Sequence, residues 1–163
     1  MQLEDCYETK DKIYMCLELH SKITLYEYIQ MTKDYLDQHK ARSLAQKIGE
    51  ALDYLHDNGI ILTNLDATGI LMSEITKGYE LNVVPRISRL NKAVVKGAND
   101  CEYCIGMEGD IRFRAPEVVS GLNYHQPADC WSYGVILYYI LTAELPFDNK
   151  PQRDSAALAG KFV

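Results

Sequence analysis

The segment at residues 131–141 (WSYGVILYYIL) constrains the possible folds of this 163-residue chain most strongly. Its side chains are apolar on every side of a helix, which predicts a helix buried at the centre of a domain. Pro127 and Pro146 lie at its two ends, where proline punctuates a helix. A buried carboxylate needs several hydrogen-bond donors, so Asp129 is expected to accept from backbone N–H groups of the turn at residues 62–64.

A second helix is predicted over residues 36–56, where apolar side chains recur at steps of three and four residues. Asn58 and Gly59 follow it and can end it in the left-handed conformation. The periodic apolar positions are Leu36, Ala41, Leu44, Ala45, Ile48, Leu52 and Leu55.

Short strands are predicted around this helix. Residues 13–19 (IYMCLEL) are rich in β-forming side chains, and residues 60–62 and 70–72 flank a polar loop. Residues 81–88 can form a strand, which Pro85 restricts to a sheet edge or to one unpaired N–H. In residues 92–113 the apolar side chains recur at no regular spacing, which predicts a loop. A loop of that length indicates a functional or mobile segment.

Composition excludes several classes of protein. Hydrophobic residues make up 47% and charged residues 25%, as in a globular protein of one domain. The net charge of −6 is spread without long like-charge runs, which argues against nucleic acid or a membrane surface as a partner. No apolar run approaches the ~20 residues that cross a bilayer, and the first residues lack a signal-peptide core. Cys101 and Cys104 form a lone C-x-x-C, which we interpret as reduced thiols. We therefore expect a cytoplasmic protein.

Two blocks of sequence resemble the protein kinase superfamily. Residues 114–121 (RAPEVVSG) contain the A-P-E motif that ends an activation segment, and residues 129–147 contain the D-x-W-S-x-G motif of the helix beneath it. The sequences of these two blocks most resemble those of the calcium/calmodulin-dependent branch of the Ser/Thr kinases. The motif residues are Ala115, Pro116, Glu117, Asp129, Trp131, Ser132 and Gly134.

This resemblance implies a mainly α fold, the C-terminal lobe of a kinase with a small β-hairpin region. It assigns the following regions: hinge strand 13–19, long helix 36–56, catalytic-loop equivalent 60–72, activation segment 89–117 and buried helix 129–142. No glycine-rich phosphate loop or β3 lysine is present in the sequence, so the upper lobe is expected to be largely absent. A fragment of a longer product and a truncated gene product both remain open.

The resemblance also implies that the catalytic site is degraded. Kinases orient the substrate hydroxyl with the aspartate of H-R-D and hold Mg²⁺ with a downstream asparagine and the aspartate of D-F-G. Aligned on these motifs, Asn64 stands at the catalytic aspartate, Gly69 at the metal-binding asparagine and Arg89 at the metal-binding aspartate. No ligand for the metal is therefore intact.

A shift of the alignment does not supply the missing carboxylate, because no Asp or Glu lies between Glu80 and Asp100. Asp66, at the family's lysine position, is the possible displaced base. Arg89 can instead be a surface charge, or form an ion pair with Asp66 or Asp110 that locks the segment.

Other family positions carry unusual residues. Leu17, Glu18, His20 and Leu71 match the gatekeeper, the hinge and the floor of the adenine slot. Leu62 and Leu90 replace the His and Phe of the internal hydrophobic stack, which we expect to persist. Thr63 replaces the arginine that binds a phosphorylated activation loop. Within residues 92–113, Tyr103 carries the only hydroxyl that a kinase could phosphorylate.

The sequence thus favours a pseudokinase, a catalytically impaired module of protein interaction or regulation. The alternative is a divergent ATP-dependent Ser/Thr kinase whose upper lobe lies outside this chain. No cofactor is expected, because ATP and Mg²⁺ lack their usual ligands. The expected partner is another protein or the missing upper lobe, with no nucleic acid and no membrane.

Overall fold

The structure is a computed structural model that describes residues 3–20, 22–32, 36–77, 80–95, 109–123 and 125–147. These residues contain four α-helices: α1 (Leu25–Thr32), α2 (Gln38–Asp57), α3 (Pro116–Val119) and α4 (Gln126–Thr142). A 3-10 helix at Ile111–Phe113 precedes α3.

The strands form three antiparallel pairs rather than one sheet. The first pair joins β1 (Leu3–Glu8) to β2 (Ile13–Leu17), and the second joins β3 (Ile60–Ile61) to β6 (Val94–Val95). The third joins β4 (Ile70–Lys77) to β5 (Glu80–Ile87), with Met72 opposite Pro85. Since β5 pairs only with β4 in the described part of the chain, its proline lies at a sheet edge as predicted.

Helix α2 corresponds to the periodic segment predicted over residues 36–56. The carboxylate of Asp37 caps its first turn by accepting from the N–H of Lys40 at 2.8 Å. At the other end, Gly59 has a φ of 70° and its N–H donates to the carbonyl of His56, so the predicted left-handed end is confirmed. Its apolar face packs with α1, β4 and α4 in one core.

Helix α4 carries more buried residues than the other described helices, among them Ile136 and Tyr139. Burial on every side was predicted, and this is wrong: Tyr138 is 44% and Leu141 71% exposed. An apolar composition permits burial all round, but burial requires covering elements, and no described residue covers this side of the helix. The prediction of a mainly α lobe with a largely absent upper lobe is not confirmed, because the described residues also contain six strands; β1 and α3 were not predicted. The loop predicted over residues 92–113 contains β6 and the 3-10 helix, and its residues 96–108 lie outside the described part.

The close approach of α2 and α4 depends on Gly49. A Cβ atom at this position would lie 2.8 Å from the hydroxyl oxygen of Tyr133, which donates to the carbonyl of Ala45. We expect Gly49→Ala to lower the free energy of unfolding by about 1–2 kcal/mol, because overpacking outweighs the better helix propensity of alanine. In a Tyr133→Phe background the obstructing hydroxyl is gone, and the same change should be neutral or stabilising. Urea denaturation of the four proteins checks this, and equal effects in both backgrounds would contradict it.

Candidate functional site

The loop between β3 and β4 forms the centre of the candidate site, and Asp129 of α4 holds its first turn. One carboxylate oxygen of Asp129 accepts from the N–H of Leu62 at 2.8 Å, and the other accepts from the N–H of Thr63 at 3.1 Å. The ring of His56 lies 2.9 Å from the first oxygen. Asp129 is 1% exposed, so the predicted capping by a buried carboxylate is confirmed.

These hydrogen bonds hold a strained backbone. Thr63 has a φ of 64°, a conformation that a β-branched residue rarely adopts and that costs of order 1–3 kcal/mol. Its hydroxyl also donates to the carbonyl of Lys92 at 3.1 Å, which ties the loop to the start of the 89–117 segment. The strain therefore persists because three hydrogen bonds from this short stretch stabilise it.

Asp66 lies at the middle of the loop and is 1% exposed. Its first carboxylate oxygen accepts from the N–H groups of Thr68 and Gly69, both at 2.8 Å, and from the Thr68 hydroxyl at 2.6 Å. Its second oxygen accepts from Nη1 of Arg89 at 3.0 Å. Four donors thus occupy the carboxylate that the sequence offered as a displaced base.

Arg89 forms its ion pair with Asp66 and not with Asp110, the other acid that the sequence allowed. Asp110 instead accepts from Nε and Nη2 of Arg112. Burial alone would raise the pKa of Asp110, but the hydrogen bonds and the charge of Arg112 outweigh burial and lower this pKa below its usual value. Asp66 and Asp110, the two acids that the sequence offered to Arg89, therefore each have an arginine partner.

The side chain of Arg89 reaches Asp66 by passing over Gly69. A Cβ atom at Gly69 would lie 3.2 Å from Cδ and 3.3 Å from Cγ of Arg89. Such contacts are tighter than ordinary van der Waals packing, so a side chain at position 69 and the arginine at position 89 compete for space. The two departures from the kinase motif are coupled through this contact.

Asn64, which the resemblance aligns with the catalytic aspartate, lies in the same loop as Asp66. The Oδ1 atom of Asn64 is buried and has no hydrogen-bond partner among the described residues. Gly109, with a φ of 81°, packs on it so closely that a Cβ would lie 3.2 Å from Cα and Cβ of Asn64. A shallow depression, too small to hold a water molecule, is lined by Leu62, Asn64, Leu65, Asp66, Gly69, Ile87 and Arg89. The structure thus brings all four predicted catalytic and metal positions together.

The residues assigned to the adenine slot lie on β2, on β4 and in the connection after β2. Leu17 is 41% exposed at the end of β2, and Leu71 forms an isolated bridge with Thr24. Nε2 of His20 lies 3.5 Å from a carboxylate oxygen of Glu18 without a hydrogen bond, and Nδ1 lies 3.4 Å from the hydroxyl of Ser73. Their role in binding adenine stays a prediction.

The internal stack is only half present. Leu62 is 1% exposed, as a core residue should be, but Leu90 is 41% exposed. The expectation that both leucines maintain the stack is therefore wrong for Leu90. Arg89 turns toward Asp66, and the residue after it lies at the surface.

The residues present do not fit the Mg²⁺ ions of a kinase. Magnesium is bound by carboxylate, amide or phosphate oxygens, whereas Gly69 has no side chain and Arg89 carries a positive charge. The one carboxylate that lines the depression, Asp66, is already paired and hydrogen-bonded.

Three parts of the site escaped the sequence analysis: the role of His56, the packing of Gly109 on Asn64 and the strained backbone of Thr63. His56 is half-buried against Asp129. A histidine in the last turn of a helix, with an acid 73 residues later, carries no local signal of contact. The glycine of GDIRFRAPE was the one available hint of a close approach.

The sequence of this chain is similar to the sequences of protein kinases. The sequence profile of the protein kinase domain matches residues 1–161. Sperm motility kinase 3A of Mus musculus is 32% identical over 158 residues, which cover 95% of this chain and 29% of that protein. Serine/threonine-protein kinase 33 of Bos taurus is 30% identical over 90% of this chain and 30% of its own length. CaM kinase-like vesicle-associated protein of Danio rerio is 28% identical over 94% of this chain and 33% of its own length.

The chain thus spans about three tenths of the length of these relatives. Its match to the kinase profile nevertheless begins at residue 1 and continues through the loop, the A-P-E motif and α4. By this match, the chain belongs to the protein kinase domain family.

Proposed function

We propose that this chain is a pseudokinase module, a kinase-family domain that acts in protein interaction or regulation and does not transfer phosphate. The observation that carries the proposal is the Asp66–Arg89 ion pair across Gly69. In the family motif these positions hold a lysine at 66 and a metal-binding aspartate at 89. Their charges are reversed here, and a guanidinium takes the place of the carboxylate that would hold Mg²⁺.

The position of the base supports the same proposal. Asn64 has an amide, which cannot accept the proton of a substrate hydroxyl, and general-base catalysis contributes roughly 10²- to 10⁴-fold to a rate. Loss of the metal also removes charge neutralisation of the transferring phosphoryl group. These losses compound, because each one affects a different part of the transition state.

A role in interaction follows from what remains on the surface. The exposed side of α4 presents Tyr138 and Leu141, and the β1–β2 pair presents further apolar side chains. Exposed apolar patches mark interaction surfaces. We propose a partner that is another protein or an upper kinase lobe, and a signalling role in the cytoplasm. No helix in the described ranges is both long and apolar enough to cross a membrane.

A divergent active Ser/Thr kinase is the second candidate. It is favoured by the carboxylate of Asp66, which lines the same depression as Asn64 and could act as a relocated base. The four hydrogen-bond donors around this carboxylate oppose the idea, because a base must have a lone pair directed at its substrate.

The test is transfer of radiolabelled phosphate from ATP with Mg²⁺ by the longest natural form of the protein. We expect no turnover above background, with no difference between the wild type, Asn64→Ala and Asp66→Asn. Turnover that requires Mg²⁺ and is lost in Asp66→Asn would contradict the pseudokinase proposal and identify a relocated base.

A further inference from the structure

Arg112 connects the residues before the A-P-E motif to helix α1. Its Nε atom donates to a carboxylate oxygen of Asp110 at 3.0 Å, and its Nη2 atom donates to the same oxygen at 2.6 Å. The guanidinium carbon lies over the ring of Tyr26, 5.9 Å from the ring centroid, which is within the range of a cation–π contact. One side chain therefore binds an acid of its own segment and an aromatic ring of another element.

The ring of Tyr26 is held in place independently of the arginine. The N–H of Tyr26 donates to the carbonyl of Ala67 at 3.1 Å, and its own carbonyl accepts from the hydroxyl of Tyr139 at 3.1 Å. The two tyrosine rings are stacked, with centroids 5.3 Å apart and planes 11° apart. Gln30 donates to the Tyr139 hydroxyl at 2.8 Å. A ring held in this way loses little further freedom when a cation binds to it, so the contact is preorganised.

The carboxylate of Asp110 also organises the backbone next to it. It accepts from the N–H of Arg112 at 3.0 Å and so caps the 3-10 helix at Ile111–Phe113. The side chains of Asp110 and Arg112 are only 23% and 26% exposed, so water screens this pair less than a pair at the open surface. Arg112 thus joins an ordered turn to a fixed ring.

This arrangement contains a permanent charge pair where many kinases use a phosphate. Their activation segments become ordered when a phosphorylated residue pairs with arginine. Residues 92–113 of this chain contain no Ser or Thr, and Thr63 stands where the resemblance places the arginine that binds the phosphate. An acid and an arginine of the same turn need no modification in order to pair.

We infer that Asp110, Arg112 and Tyr26 form a clamp that fixes residues 109–115 against α1 without phosphorylation. The clamp couples the two elements: order in one stabilises order in the other, and this coupling is reciprocal. It is a property of the fold and does not depend on whether the chain transfers phosphate.

Hydrogen exchange measured by mass spectrometry tests the clamp in the longest natural form of the protein, because exchange rates report local opening. Residues 109–115 should be equally protected before and after phosphatase treatment. Arg112→Ala should raise their exchange rate about tenfold or more, since it removes a charge-assisted pair. Tyr26→Leu keeps apolar bulk but removes the face of the ring, and should raise the same rate roughly threefold to thirtyfold. By reciprocity, Asp110→Asn should raise the exchange rate of α1 (Leu25–Thr32).

A double variant and two controls separate the clamp from general loss of stability. Arg112→Ala combined with Tyr26→Leu should raise the rate by less than the product of the single effects, because both changes remove one contact. Exchange in α2 is the internal reference for global unfolding. The matched control is Tyr54→Leu, which changes a tyrosine that is 68% exposed on α2 and should leave residues 109–115 unaffected.

Three results would overturn the inference. The first is protection of residues 109–115 that phosphatase treatment removes. The second is a double variant whose effect equals the product of the single effects. The third is a Tyr26→Leu variant in which residues 109–115 change no more than α2 does.

Discussion

Replacing Asp129 with alanine should lower the free energy of unfolding by about 3–5 kcal/mol, the largest effect on stability that we expect from one substitution in this chain. The change leaves the N–H groups of Leu62 and Thr63 without their acceptor in a buried turn. It also removes the partner of His56 and the bonds that hold Thr63 at a φ of 64°. Each of these losses destabilises the same loop.

Urea denaturation followed by circular dichroism measures this effect. Asp129→Asn retains one oxygen acceptor and the shape of the side chain, so it should cost less than the alanine variant. Asp53→Ala removes an exposed acid from α2 and should change stability by no more than about 0.5 kcal/mol. If Asp129→Ala were as mild as Asp53→Ala, the kinase-like assignment of this helix and turn would lose its main physical support.

The largest effect on rate should come only from rebuilding the whole site. Asn64→Asp alone should leave phosphoryl transfer at background, because the metal position still carries the guanidinium of Arg89. Gly69→Asn alone should be poorly tolerated, since its Cβ would lie 3.2 Å from Cδ of Arg89. Asn64→Asp, Gly69→Asn and Arg89→Asp must therefore be made together.

The ion pair adds a fourth requirement that the alignment did not reveal. Arg89→Asp by itself would leave the buried carboxylate of Asp66 without its cation and place a second acid beside it. We therefore expect Asp66→Lys to be needed as well, which restores the family's order of charges. In the longest natural form, the fourfold variant should exceed the wild type by roughly 10²-fold or more in transfer of radiolabelled phosphate. The matched control is the same variant with Asn64 retained, and turnover by Asn64→Asp alone would contradict the argument.

Sequence periodicity and residue chemistry determined much of this fold. Local sequence patterns predicted both main helices, because helices are stabilised by contacts one turn apart and by burial of one face. These patterns are the spacing of apolar residues in α2, the apolar segment of α4 and the cap at Gly59. The same holds for the residue types at the positions that the resemblance aligns with the kinase ligands: an amide at Asn64, no side chain at Gly69 and a cation at Arg89. The need of a buried acid for donors also identified the role of Asp129.

Tertiary structure alone decided which groups meet. Asp66 and Asp110 were equally available to Arg89, and the choice of Asp66 depends on how the β3–β4 loop folds back under the residues after β5. The exposure of Leu90 and Leu141 depends on which elements cover them, and apolar character gives no information about that. The contact of Arg89 with Gly69 joins positions 20 residues apart, and that of His56 with Asp129 joins positions 73 apart. Such contacts leave no periodic trace in a sequence, since they arise from the packing of elements and not from the order of their residues.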